Sequence, residues 1–138
     1  MSVKNQKIII STQGFDDLID ITSKIQDVIW DTKVKEGIAN IFVKSSCASI
    51  LILEDEPALP LDITKLLDSI VPINKVYQHD NNWHDGNAFS HLKSMFLGHN
   101  ITLPIVESKI ELDSYQRIVL IDFDNKASFR EIVVSVVY

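Results

Sequence analysis

Short β-branched and apolar runs recur along this chain, and they constrain its fold more than any other feature. Ile8-Ile9-Ile10 lies near one end, and the long run 129–138 closes the other. The first is too short for a stable helix, and its β-branched side chains suit a pleated surface. Strands are therefore expected over residues 7–12, 15–21, 38–44, 48–53, 101–106, 109–112, 117–123 and 129–138. The run 48–53 is apolar at every position but one, the pattern of a strand covered on both faces.

Three segments change period. Ile21, Ile25, Val28 and Ile29 fall on one helical stripe, with Thr22 or Ser23 as a cap and Gly37 placed for a C-terminal turn. Ile63, Leu66, Leu67 and Ile70 form a second stripe, with Asp62 in the first turn and Pro72 as its stop. Residues 88–97 favour a third helix that Gly98 can close. Strands outnumber helices, so the fold expected is α+β: one domain over 1–138, mostly antiparallel sheets with about three helices packed against them. Asp124-Asn125-Lys126 is turn-like and predicts a hairpin between the last two strands. If the run 129–138 lies at a sheet edge, it needs covering, which points to an oligomer.

Charge narrows the partners. Thirteen basic against nineteen acidic residues give a net charge of −6, opposite to what nucleic acid or an anionic membrane favours. Cys47 is the only cysteine, so no intrachain disulfide forms, which suits a reducing compartment. No apolar stretch approaches the ~20 residues of a membrane helix, and the polar residues 1–7 lack the apolar core of a signal peptide. The expectation is a cytoplasmic protein.

The chemistry-bearing residues concentrate in 79–93, which holds three of the four histidines. His79, His84 and His91 with Asp80 and Asp85 are ligand types for zinc or another divalent first-row metal. Their spacing matches no compact zinc motif, and an ordinary hydrogen-bonded polar loop is the competing reading. Asp85-Gly86-Asn87 reads first as a tight turn. Alternatively, Asp85 acts as a base or orients a histidine while Asn87 donates a hydrogen bond in the site. Lys93 and the backbone amides after Asn87 are candidates to hold a phosphate or other small anion, against the plainer reading of Lys93 as a solvated helix lysine.

The series His79, Trp83, Asp85-Gly86-Asn87, Ser90-His91-Leu92-Lys93-Ser94, Leu97-Gly98 and Ile101-Thr102-Leu103-Pro104 resembles the signature of the YjbQ family, also called secondary thiamine-phosphate synthase-like. Phe42-Val43, Ser45-Ser46-Cys47-Ala48, Glu54, Tyr115-Gln116 and Asp122-Phe123-Asp124 extend the resemblance over nearly the whole chain. It implies a compact α+β domain that assembles as a homotrimer, with a polar pocket near subunit boundaries that often carries a metal or anion. It also implies a capacity, attributed to some members, to make thiamine phosphate. Carried over residue by residue, Asp85, Asn87 and His91 are the catalytic candidates, and His79 with His91 the metal ligands. Lys93, Gln116 and Glu54 are the ligand-binding candidates.

Departures from the pattern open a second reading. Ser45 stands where the family has a histidine, and a hydroxyl is a poor base or metal ligand at neutral pH. Leu53 replaces an asparagine and Tyr115 a tryptophan. One reading is a metal-assisted or acid/base enzyme, with His84 or His99 as stand-ins for the missing imidazole. The other is a non-catalytic trimeric binding or structural relative with a degenerate site.

Overall fold

Alternating burial along the strands produces two stacked sheets. The computed structural model describes residues 1–138. It begins with strands β1 (Val3–Thr12) and β2 (Asp17–Asp20), helix α1 (Thr22–Thr32), and strands β3 (Gly37–Val43) and β4 (Ala48–Glu54). Three helices follow: α2 (Leu59–Ile70), α3 (Gln78–Trp83) and α4 (Ala88–Leu97). Strands β5 (Asn100–Val106), β6 (Lys109–Ile110), β7 (Gln116–Asp122) and β8 (Ser128–Val137) complete the chain. The larger sheet has the order β1-β8-β3-β5-β6 and the smaller β2-β7-β4, with every pairing antiparallel. The α+β expectation holds.

The main core lies between the sheets. Ile41, Val43, Ile132, Val134 and Val136 of the larger sheet meet Ile50, Ile118 and Leu120 of the smaller, and α1 closes the layer with Ile25, Val28 and Ile29. The other face of the smaller sheet carries a second cluster. There Ile121 and Phe123 pack with Leu67 of α2, and Leu97 of α4 joins them. β7 is thus covered on both faces, which accounts for its unbroken run Ile118-Val119-Leu120-Ile121. The outer face of the larger sheet has no helix over it and leaves Ile9, Ile38, Phe42 and Phe129 exposed.

Several local expectations change. β7 and β8 belong to different sheets, so the turn at Asp124-Asn125-Lys126 is a crossing between layers and not a hairpin. β8 lies between β1 and β3, not at an edge, so its length needs no partner chain to cover it. α1 ends at Thr32 with Lys33 in the left-handed conformation, and Gly37 opens β3. A Cβ on Gly37 would lie 2.4 Å from the Val137 carbonyl oxygen, so close sheet packing is what demands glycine there. α2 buries fully only Leu67, leaving Leu66 and Ile70 exposed. A fourth helix, α3, forms within the polar segment, where Asp80 Oδ2 accepts the Tyr77 amide at 3.3 Å and the Tyr77 carbonyl accepts the Asp80 amide at 3.1 Å.

Candidate functional site

α3 and α4 meet at a turn, and this junction assembles the histidines. His84 and Gly86 both take positive φ (57° and 64°), reversing the chain on either side of Asp85. The reversal sets His79 of α3 against His91 of α4 edge to face, with ring centroids 4.7 Å apart. Trp83 stacks on His79 at 6.4 Å with 23° between the planes. A surface cleft of about 330 Å³ opens beside the pair, lined by Tyr77, Gln78, His79, Ala88, His91 and Leu92.

A hydrogen-bond partner fixes the orientation of one ring, and a carboxylate stands beside the other. Nδ1 of His91 lies 3.1 Å from the Ser46 carbonyl oxygen and 3.5 Å from the Cys47 sulfur. A carbonyl only accepts, so Nδ1 carries a hydrogen, and in the neutral ring the lone pair is on Nε2. Nε2 of His79 lies 3.3 Å from Asp85 Oδ1, an ion-pair distance at which the carboxylate favours a hydrogen on Nε2. Asn87 lies between two carboxylates. Its amide can donate to Asp124 Oδ1 at 3.4 Å, or, turned over, to both oxygens of Asp85 at 3.0 and 3.2 Å. The second orientation is the better bonded, because it replaces an oxygen–oxygen approach with two hydrogen bonds.

Behind the turn stands a buried charged cluster. Arg130 Nε donates to Asp122 Oδ2 at 2.6 Å, and Nη2 donates to Asp122 Oδ1 and Asp124 Oδ2, each at 3.0 Å. Thr12 donates to Asp122 at 2.5 Å. Burial alone would raise the Asp124 carboxyl, but hydrogen bonds from Arg130 and the Asn125 amide outweigh it and hold it below the ordinary value of 3.8. The cluster reaches the site through Asn125, whose side chain donates to the Asp85 carbonyl at 2.9 Å. Cys47 is buried, and desolvation holds its thiol above the ordinary value, outweighing the Ser90 hydroxyl that donates to its sulfur at 3.3 Å.

The remaining candidates lie elsewhere. Lys93 is fully buried on the other side of α4, with its ammonium 2.7 Å from Asp68 and 3.2 Å from Asp16. It ties α2 and the β1–β2 turn to α4 and does not face the cleft. Burial raises the Asp16 carboxyl despite the attraction of Lys93. Glu54 pairs with Gln116 at the far end of β4 and β7, six positions beyond Ala48, or about 20 Å at strand rise. The two do not share the histidine cleft. Gln116 accepts the Asp113 amide at 2.9 Å.

The first amide of α4 is also taken. Ala88 N donates to Asp80 Oδ1 at 3.1 Å, so the protein's own carboxylate occupies the start of α4. Ser45 Oγ accepts the Cys47 amide at 3.0 Å, a turn role. His99 Nδ1 is held by the Ala48 carbonyl at 3.0 Å, and His84 is an exposed cap residue. Nowhere do three His, Cys, Asp or Glu side chains converge as a metal site.

Sequence reasoning assigned no site role to Ser46, Cys47, Asp122, Asp124 and Arg130, and offered Asp80 as a metal-ligand type where the structure uses it to cap α3 and α4. Asp122 between Ile121 and Phe123, and Arg130 beside Phe129, were the available signal: opposite charges inside apolar runs imply a buried pair.

An α+β domain of two stacked antiparallel sheets, with a histidine pair where α3 meets α4, matches solved structures over its full length. A YbjQ-like protein of unknown function from Sulfolobus solfataricus superposes with a TM-score of 0.90 at 32% identity, covering 98% of this chain and 96% of that one. An uncharacterised YjbQ/UPF0047-family protein from Clostridium acetobutylicum gives 0.87 at 27% identity, covering 96% and 99%. Among sequences, a UPF0047 protein of Methanothermobacter thermautotrophicus is 35% identical over 136 residues, covering 99% of this chain and 93% of its own length. The model of the family described as UPF0047 protein YjbQ-like matches residues 6–138. The chain belongs to that family.

Proposed function

We propose that the α3–α4 junction is an acid/base pocket for a small heterocyclic molecule. His91 is its base and the His79–Asp85 pair its proton-holding partner. The observation that supports this most directly is the contact between His91 Nδ1 and the Ser46 carbonyl, which in the neutral ring puts the lone pair on Nε2 of a residue that lines the cleft. Asp85 and Asn87 orient His79 rather than touch the ligand. The specific activity to test is the thiamine-phosphate synthase type that the resemblance suggests. The same two histidines are the ligands we propose for a divalent ion such as zinc. They supply two nitrogens where a catalytic zinc takes three protein ligands, so no step of the acid/base chemistry is routed through a metal.

A second reading has its own support. Ser45 is used in a turn, and Glu54 and Gln116 are remote from the histidines within one chain. Both facts favour a binding protein without turnover. In either reading we propose a homotrimer in which copies meet on the uncovered face of the larger sheet, where Ile9, Ile38, Phe42 and Phe129 are exposed.

Complementation of a thiamine-requiring host separates the readings. Growth with the wild type that is lost in His91→Ala supports the enzyme. Growth only with Ser45→His supports the binding protein. No growth with either removes the thiamine-phosphate activity. Metal content before and after His91→Ala tests the ion, and a monomer mass by light scattering across concentrations removes the trimer.

A further inference from the structure

The cleft beside His79 and His91 is unusual for a site expected to hold a phosphate, because its surroundings supply almost no positive charge. Lys93 is locked in ion pairs with Asp16 and Asp68 on the far side of α4. Arg130 spends its guanidinium on Asp122 and Asp124. Asp80 covers Ala88 N with one oxygen and Tyr77 N with the other, at 3.1 and 3.3 Å. One lysine, Lys75, packs its ammonium 5.5 Å from the Tyr77 ring centroid. Asp80 and Asp85 oppose it with two carboxylates.

Flat π surface is what the site does offer. His79 and His91 stand edge to face, Tyr77 lines the cleft, and Trp83 lies near-parallel to His79 with 72% of its surface exposed. A planar ring gains from stacking on such groups, and ring N–H donors are complementary to the carboxylates; a dianion is repelled by them.

We propose that this site selects a planar nitrogen heterocycle that carries no phosphate. The inference rests on the acid/base reading of the histidine pair and specifies the ligand class for it. Within that class His91 Nε2 accepts a ring N–H, and Trp83 supplies a stacking face. Lys93 and the Ala88 amide, two groups a phosphate pocket would draw on, are already bonded to the protein's own carboxylates.

A pair of probes tests this on the intact protein: pyridoxine and pyridoxine 5′-phosphate, titrated by NMR while the side-chain signals of Trp83, His79 and His91 are followed. Pyridoxine should shift all three saturably, and the phosphorylated form should bind several-fold more weakly. Trp83→Ala, an exposed position whose loss leaves the core intact, should weaken pyridoxine by roughly tenfold, the size of a single ring-stacking contact. Equal or tighter binding of the phosphate ester overturns the proposal. So does unchanged affinity in Trp83→Ala, or absence of any pyridoxine response at these residues. The outcome is separable from that of complementation. Ring binding without growth leaves this inference standing and removes the thiamine-phosphate activity, whereas growth with tighter ester binding does the reverse.

Discussion

Replacing Arg130 by methionine tests the account of the site's foundation most directly. The guanidinium makes three hydrogen bonds to two carboxylates, and the side chains of Arg130, Asp122 and Asp124 are 12%, 0% and 5% exposed. Methionine fills much of the volume but removes the only cation bonded to either acid. Asp122 keeps its bonds from Thr12 and the Asp124 amide, and Asp124 keeps the Asn125 amide. Breaking a buried pair from one side costs about 3–5 kcal/mol. For a domain of this size that is a fall in Tm of roughly 10–20 °C. The loss should shrink in acid, because carboxyls without a cation take up protons more readily and their buried charge disappears. Urea unfolding at pH 7 and pH 4.5, followed by tryptophan fluorescence, reads both effects. The triple variant Arg130→Met, Asp122→Asn, Asp124→Asn should recover part of the loss. A penalty below about 1 kcal/mol at pH 7, or one equal at both pH values, would refute the assignment of a buried, mutually dependent cluster.

Other measurements follow from the same geometry. Asp124 titrates below its unfolded value of 3.8, so the unfolded chain binds more protons and the contribution of Asp124 is fully present above that value. It is lost as pH falls through the folded value, and Asp124→Asn should flatten this part of the acid-unfolding curve. Asp16 has the opposite sign. Its folded value lies above 3.8, so stability declines as pH rises between the two values, and Asp16→Asn should remove that decline in pH-dependent urea melts. Lys93→Ala strips the cation from Asp16 and should cost about 3–5 kcal/mol by urea unfolding; an exposed, solvated lysine would cost almost nothing. Gly14 has φ +76°, and a Cβ there would lie 2.6 Å from the carbonyl oxygens of both Asp124 and Lys126. Gly14→Ala should therefore cost about 1–3 kcal/mol and broaden the NMR signal of the Asn125 side chain that bonds Asp85. Cys47, buried with a raised thiol, should resist iodoacetamide in the native state at neutral pH and react readily once unfolded.

The structural role of Lys93 also bears on how family motifs are interpreted. A lysine two residues after a site histidine looks like a ligand-binding group, but on a helix those positions face different sides. Here His91 faces the cleft and Lys93 the core, where the rings of Phe89 and Phe123 each lie 5.9 Å from its ammonium. Sequence adjacency in Ser90-His91-Leu92-Lys93 therefore joins two separate placements: a histidine at the cleft, and a cation that fastens α2 and the β1–β2 turn to α4.

What this sequence determines by itself is the set of elements and the place of the histidine site. Period-two and helical stripes report which face of each segment is apolar, and turn residues punctuate them. Those local signals located most strands, α1, α2, α4 and the Asp85-Gly86-Asn87 reversal. They carry no information about partners. The assignment of β7 and β8 to different sheets, the burial of Lys93 against Asp16 and Asp68, and the separation of Glu54 from His91 came only with tertiary structure. Each depends on contacts between distant residues, 77 positions apart for Lys93 and Asp16 and 44 for Cys47 and His91. A side chain's type and its neighbours in sequence state whether it can bear charge or donate a proton; only packing decides which atom stands opposite and whether that charge is left free for a ligand.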